Sequence, residues 1–467
     1  MTEPSSAAGD APTLVRALGA WDCTLLTIGN VVGSAVFIAA NIVPANVPHA
    51  GWVIAVWIAG GLLSLAGALT YAELGTMFPR AGGPYQFLKE AYGPLFGFLY
   101  GWTCFLVILC GAVAYLAVAS AEMLGRYVPA FLRAHEVFSL QLAGAALSVN
   151  GNQLGATLLI VVLTAINYVG LRPGVFIQNV STVAKFAALV ALIVLGFLAT
   201  PLESPNWTAP LASAHLLSGL GVAMIAVFWA YDGWYCLTYC GAEIRDPERS
   251  LPRGLLAGTA TVMALYVLLN LVYLRALPLK ALGEAGGIAD ASAGALLGSI
   301  GAPLVSAGIL ASVLGALAVN VLGNARVYLP MAQDGLFFSA LARIHPTYRT
   351  PSACLVAQAC WSIVLACTGR YDQIGTYVTF AVFLFHAAIG AAIFVLRRQR
   401  PDAPRPYRTW GYPWTPAIFV LTSLVFVAST FFERPLESLL GLGLVALGLP
   451  VYAWWSRRRA RERLALP

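Results

Sequence analysis

The stretch Ile28 to Phe37, IGNVVGSAVF, decides how the rest of the chain is read. It lies inside an apolar run from Trp21 to Val43, long enough to cross a bilayer, which takes about 20 residues. Near its middle stand Gly33 and Ser34, where a continuous spanning helix would carry Leu or Ala. Both weaken the helix at a depth where no water satisfies freed backbone groups. Non-helical backbone there is tolerated only when protein buries it or when it lines a cavity. The stretch therefore reads as a candidate binding site on an interrupted helix. The same small residues would also serve as a close packing face between helices. A second break elsewhere in the chain separates these readings.

Of the 467 residues, 59% are hydrophobic and only 10% charged, against about 25% charged in a soluble domain. Mean hydropathy is +0.78. The chain reads as a polytopic membrane protein. Its net charge of +7 does not point to nucleic acid, because the basic residues fall in short segments between apolar runs. The N-terminal MTEPSSAAGDAPTL lacks the basic and apolar regions of a cleaved signal peptide. The eight cysteines lie in or at the ends of apolar runs, with the spacing of neither a disulfide framework nor a zinc site. Cys236 and Cys240 share a helical face and read as buried thiols.

Twelve apolar runs are long enough to span, at 20–43, 51–76, 94–124, 153–170, 175–199, 216–241, 254–275, 302–329, 351–368, 372–396, 413–432 and 436–456. An even count puts both termini on one side. The segments on that side would hold most of the 27 Lys and Arg residues. They include Arg326, the cluster Arg397, Arg398, Arg400, Arg405 and Arg408, and the tail Arg457, Arg458, Arg459, Arg461 and Arg463. The opposite segments hold only Arg126, Arg133, Arg275, Lys280, Arg370 and Arg434. The positive-inside rule then puts both termini in the cytoplasm of a cell membrane. The basic tail reads as ordinary anchoring rather than a lipid-specific patch. Loops are short, and the longest external segment, 125–152, leaves no room for a separate soluble domain.

The sixth run contains the second break, VFWAYDGWYCLTYCGAEI, with Asp232 and Gly233 deep in the apolar span. A carboxylate at the bilayer centre costs about 2.5–3.5 kcal/mol on insertion scales unless it faces protein or water. Interrupted helices at matching positions of two halves point to a transporter site. Where span one resumes after Gly33, Ser34 and Ala35, backbone N–H groups and a positive dipole end favour a carboxylate. Where span six unwinds, freed carbonyls of Phe228, Trp229 and Ala230 accept from an ammonium. Donors on one side and carbonyls on the other suit a zwitterion such as an α-amino acid. Trp229, Tyr231 and Trp234 leave room for an uncharged side chain. Asp232 has two readings, contact with the substrate amine or an N-cap for the resumed half-helix.

These residues carry a family resemblance. GNVVGSAVF, the run YAELGTMFPRAGGPYQFLKEAYGP, AYDGW with GAEIRDPERSLPRG, and PDAPRPYRTWGYPWTP resemble the L-type amino acid transporters of the APC superfamily, over nearly the whole chain. The resemblance implies an all-α LeuT-type fold with spans one and six unwound. Its parts would be a cytoplasmic segment 1–19, inverted repeats 20–199 and 216–396, two further helices in 413–456, and a tail 457–467. It implies exchange or uptake of amino acids by alternating access; sodium-independent exchange of neutral L-amino acids, with no cofactor and no metal, is the expected form. By position, Val31, Gly33, Ser34 and Ala35 would hold the substrate backbone, with Phe228, Trp229, Ala230 and Asp232 opposite. Trp229 stands where the family has an aromatic gate, usually Phe, and Tyr266 matches a tyrosine near the site. The family's GSG is GSA here, so Ala35 adds a methyl at the carboxylate end. Eukaryotic members join a glycoprotein through a cysteine between spans three and four. That segment holds no cysteine here, so no disulfide-linked partner is expected.

Lys185 falls about ten residues into span five, about 15 Å deep at helical rise, too deep to snorkel. The resemblance sets it where sodium-coupled relatives bind a cation. Its partners would be carbonyls freed near Gly33 and a hydroxyl of span eight, with Ser312 as the candidate. Lys185 could instead load and release a proton, which would make uptake pH-dependent. Glu73 reads as a pairing or capping group at the end of span two. His386 reads as a packed imidazole or a proton relay.

A channel would need a continuous polar path or a repeated filter, and neither occurs in the sequence. A membrane enzyme would need clustered titratable groups near one membrane face, and five scattered histidines do not supply them. A proton-coupled symporter and a substrate sensor on a transporter fold stay open as alternatives. The sequence does not name the amino acid.

Overall fold

The computed structural model describes residues 13–33, 35–142, 145–200, 205–208, 210–211, 215–368 and 371–464. Ser34 lies outside them. The chain is a helical bundle. The first apolar run is two helices, α1 (Ala20–Val31) and α2 (Ala35–Asn46), followed by α3 (Ala50–Met77) and a short amphipathic α4 (Pro84–Tyr92). α5 (Pro94–Thr103) runs through a π-turn at Cys104–Ile108 into α6 (Leu109–Leu124). Then come α7 (Gly151–Val169), α8 (Leu171–Leu198), α9 (Leu216–Ala230) and α10 (Pro247–Ala276). The short α11 (Leu279–Glu284) and α12 (Ile288–Leu297) lead to α13 (Gly301–Gln333). The last are α14 (Ser352–Cys367), α15 (Tyr371–Gln399), α16 (Trp414–Glu433), α17 (Pro435–Ala446) and α18 (Gly448–Leu464).

Among the described residues, ten helices are long and apolar enough to cross a membrane. The two halves α1 and α2, at 12 residues each, and α14, at 16, fall short of that length individually. An expected count of twelve requires α1 with α2 to make one crossing and α14 another. The architecture is consistent with the LeuT-type fold. In the helix of Pro94–Leu124, 67% of the most apolar window is buried, against 22% in α16 and 17% across α17 and α18. The last three helices therefore stand at the periphery.

Two segments differ from the sequence reading. Glu136–Leu142 and Ala145–Asn150 form an antiparallel hairpin, β1–β2, inside what read as a plain external loop. Arg326, read as one of the basic residues between spans, is buried within α13 beside Glu243, with its guanidinium also donating to the Leu322 carbonyl. Its partner carboxylate is what makes that burial tolerable, since an unpaired charge there would be costly.

One end of the bundle is laced together by polar contacts. Leu18 pairs in parallel with Ile244, and Ala81 antiparallel with Cys240. Gly82 N–H donates to the Tyr239 carbonyl at 3.0 Å. Gly82 and Gly83 have φ of +95° and +41°, and a Cβ at Gly83 would strike Thr238. Glycine is what lets this turn approach the sixth-span segment so closely. Glu73, fully buried, takes two hydrogen bonds from Arg397, at 2.9 and 2.7 Å, and one from Thr409 N–H at 2.6 Å. Tyr85 and Lys89 of α4 both reach Asp334, at 2.6 and 2.7 Å.

Candidate functional site

The first break begins at the end of α1. Val32 N–H still reaches the Ile28 carbonyl at 2.9 Å, whereas Gly33 N–H turns back to the Val31 carbonyl at 2.9 Å. The regular helical ladder stops there and resumes at Ala35. The second break follows α9. Asp232 N–H bonds the Trp229 carbonyl at 3.1 Å, a tighter turn than the α-helix. Gly233 then takes φ +110°, and the chain continues as a 3-10 helix, Trp234–Tyr239. A side chain at Gly233 would be strained by that φ and would strike Asn30. The two breaks therefore meet backbone to side chain.

Between them is a cavity of about 200 Å³. Val31 and Gly33 border it from the first break, and Trp229, Asp232 and Gly233 from the second. Leu109, Ala112 and Tyr115 on α6 and Ala316 and Asn320 on α13 close its other walls. Among the described residues, a Cβ at Gly33 would meet nothing within 4 Å. Packing among the described residues thus does not demand glycine there. Gly29 differs, because a Cβ there would strike Thr182, Gln178 and Val319. Trp229 is 38% exposed.

Phe228 and Ala230 stand away from the cavity lining. The Phe228 ring packs on Phe383 and Phe426 at centroid distances of 5.4 and 4.8 Å. Tyr266, fully buried on α10, donates toward Val31 O at 3.1 Å and Ala230 O at 3.4 Å, so one hydroxyl spans both breaks. Lys185 of α8 is fully buried, and its ammonium donates to the carbonyls of Gly29 and, at 2.7 Å, Val32. Ser312 Oγ on α13 donates to the same Val32 carbonyl at 2.9 Å. The freed carbonyl end of α1 is therefore held from α8 and α13 together. Ser34 is outside the described residues, and of Ala35 only the backbone is described.

Asp232 does not cap the turns that follow it. The position before Trp234 is Gly233, and no side chain caps that 3-10 helix. The Asp232 carboxylate instead accepts from Tyr235 Oη at 3.2 Å and lies 3.1 Å from His386 Nε2 on α15. His386 Nδ1 is 2.8 Å from Tyr71 Oη on α3.

An asparagine ladder went unread in the sequence. Asn30 Nδ2 donates to the Gly233 carbonyl at 2.8 Å and to Cys236 Sγ at 3.0 Å. Asn320 donates to Asn30 Oδ1 at 2.8 Å, and Asn324 to Asn320 Oδ1 at 3.0 Å. The spacing of Asn320 and Asn324, one helical turn apart inside an apolar run, was the available signal.

A family profile described as amino acid permease matches residues 18–440. The serine/threonine exchanger SteT of Bacillus subtilis (strain 168) is 31% identical over 450 residues, covering 96% of this chain and 98% of that protein. Large neutral amino acids transporter small subunit 2 of Oryctolagus cuniculus is 27% identical, over 97% of this chain and 83% of its own. The b(0,+)-type amino acid transporter 1 of Mus musculus is 27% identical, over 91% and 84%.

Proposed function

The chain belongs to the amino acid permease family, and from that premise we propose that it exchanges neutral L-amino acids across a membrane by alternating access. The cavity between the two helix breaks carries this reading. In it, the resumed end of the first span offers backbone donors to a carboxylate, and the unwound sixth-span segment offers carbonyls and the Asp232 carboxylate to an ammonium. Val31, Gly33, Ser34, Ala35, Trp229 and Asp232 hold the substrate backbone in this scheme, while Phe228 and Ala230, expected there from the sequence, stand behind the cavity lining. Trp229 closes over it and Tyr266 ties the two breaks. The naming of one relative as an exchanger and another as a large neutral amino acid transporter supports both halves of the proposal.

Lys185 stands in for a coupling cation. Its ammonium bonds two carbonyls of the broken helix, one of them shared with Ser312, so sodium has no place to fill. Spans one to five, 20–199, and six to ten, 216–396, would form inverted repeats, each opening with an interrupted helix. Both termini would face the cytoplasm of the cell membrane, by the excess of Lys and Arg on that side. Segment 125–152 holds no cysteine, which supports function without a disulfide-linked partner chain.

The deciding experiment is uptake of labelled L-amino acids by the purified protein in liposomes, with and without internal amino acid. Exchange predicts uptake that requires a filled interior and is equal in sodium and choline. Uptake driven into empty liposomes by a proton gradient would instead make the protein a symporter.

A further inference from the structure

A chain of three groups runs from the cavity into the bundle. Asp232 borders the cavity with its side chain 23% exposed, while the His386 side chain behind it is 4% exposed. Tyr71 beyond is fully buried. The imidazole lies parallel to Trp234, 17° between planes, with Tyr235 and Phe419 edge-on. The titratable groups facing it are Tyr71 from α3, Asp232 and Tyr235 from the sixth-span segment, and Tyr100 from α5 across a small void. No lysine or arginine is among them, and Phe419 is what α16 presents.

An ionised carboxylate only accepts hydrogen bonds, so Nε2 carries a proton toward Asp232. In the charged ring Nε2 donates to Asp232 and Nδ1 to the Tyr71 oxygen, and a ring that has given up the Nε2 proton keeps Nδ1–H toward Tyr71. An imidazole ring holds either one proton or two on its nitrogens. The pair is then neutral with the proton and carries a single negative charge without it. Inside a membrane that single charge is balanced by one cation, since a second would be left unpaired.

Building on the exchanger reading, we propose that His386 is a positioning residue whose proton competes with the substrate's ammonium for Asp232. On binding, the Nε2–H bond of the imidazolium breaks, and the proton leaves through Asp232 to cavity water. An ammonium N–H takes over the hydrogen bond to the carboxylate. The remaining Nδ1–H donates to Tyr71. One zwitterion enters and one proton leaves, so affinity falls as pH falls.

The test is isothermal calorimetry of L-serine on the full-length protein in detergent from pH 5.5 to 8.5, in buffers of different ionisation enthalpy. The wild type is expected to weaken toward about tenfold per pH unit at the acid end, as competition for one site by one proton requires, and to release up to one proton per serine bound. His386→Gln, whose amide can still donate to Asp232, is expected to bind with no pH slope and no proton release. Tyr71→Phe, which removes the partner of Nδ1–H, should keep the slope and move it to lower pH. A flat wild-type profile, or a slope and proton release that persist in His386→Gln, would overturn the proposal alone. No binding of serine or any other L-amino acid at any pH would overturn the exchanger reading and this proposal with it.

Discussion

At the scale of single residues, the site rests on two side chains and one absent one. Lys185 should be intolerant of removal. Lys185→Ala removes the ammonium donor from the Gly29 carbonyl and leaves the Val32 carbonyl with Ser312 Oγ alone, and a lost hydrogen bond to a charged group is worth about 1.5–3 kcal/mol. Transport by Lys185→Ala in liposomes should fall by at least tenfold, while the wild type runs equally in sodium and choline. An unimpaired alanine variant would remove the cation-surrogate role. No described residue crowds Gly33, so Gly33→Leu should give a folded protein of near wild-type melting temperature that no longer binds amino acid. Trp229→Ala should cut the transport rate far more than Trp414→Ala, a change at a 74% exposed site on α16. Tyr235 would make a poor comparison because it borders the cavity and bonds Asp232. If the carboxylate is held by backbone donors, amino acid amides should fail to compete with the acids for uptake.

Elements meet through buried polar contacts that are far apart in the chain. The Arg326–Glu243 pair joins α13 to the segment after the sixth-span break. Removing one partner of a buried pair costs about 3–5 kcal/mol, whereas replacing both by apolar residues is often neutral. Glu243→Gln should therefore lower the melting temperature sharply, and the double change Arg326→Met, Glu243→Leu should recover much of it. A double variant no more stable than the single one would show that the pair matters for its shape rather than its charge. This contact also marks where reading the sequence stops. The apolar runs, the breaks at Gly33 and Gly233, and the depth of Lys185 are local properties, visible in a window of about twenty residues. The partners of Asn30 lie 203 and 290 positions away, those of His386 154 and 315, and Glu243 lies 83 from Arg326. Such pairings depend on how helices are arranged, which periodicity does not encode. Hairpin β1–β2 escaped for another reason: its strands are short and sit between two apolar runs whose lengths dominate the reading.

Across the whole molecule, one end of the bundle is tied together by polar contacts at Leu18, Gly82, Glu243 and Asp334. In the exchange cycle proposed here, that end has to part for the cavity to open toward it. Parting would separate Gly82 from Tyr239, Leu18 from Ile244, and the α4 side chains from Asp334, with little regained until water enters. Such a step is slow unless something favours the intermediate state, and a ligand can do so only by binding that state more tightly. An amino acid bridging both breaks would be that ligand, drawing the segments around Gly33 and Asp232 together as the laced end lets go. An unloaded carrier has no comparable help, so its return would be the slow leg of the cycle. Efflux of labelled amino acid from loaded liposomes should accordingly quicken several-fold when unlabelled amino acid is added outside. The lacing, in this light, acts as a toll on the empty crossing and makes one-for-one trade the faster route.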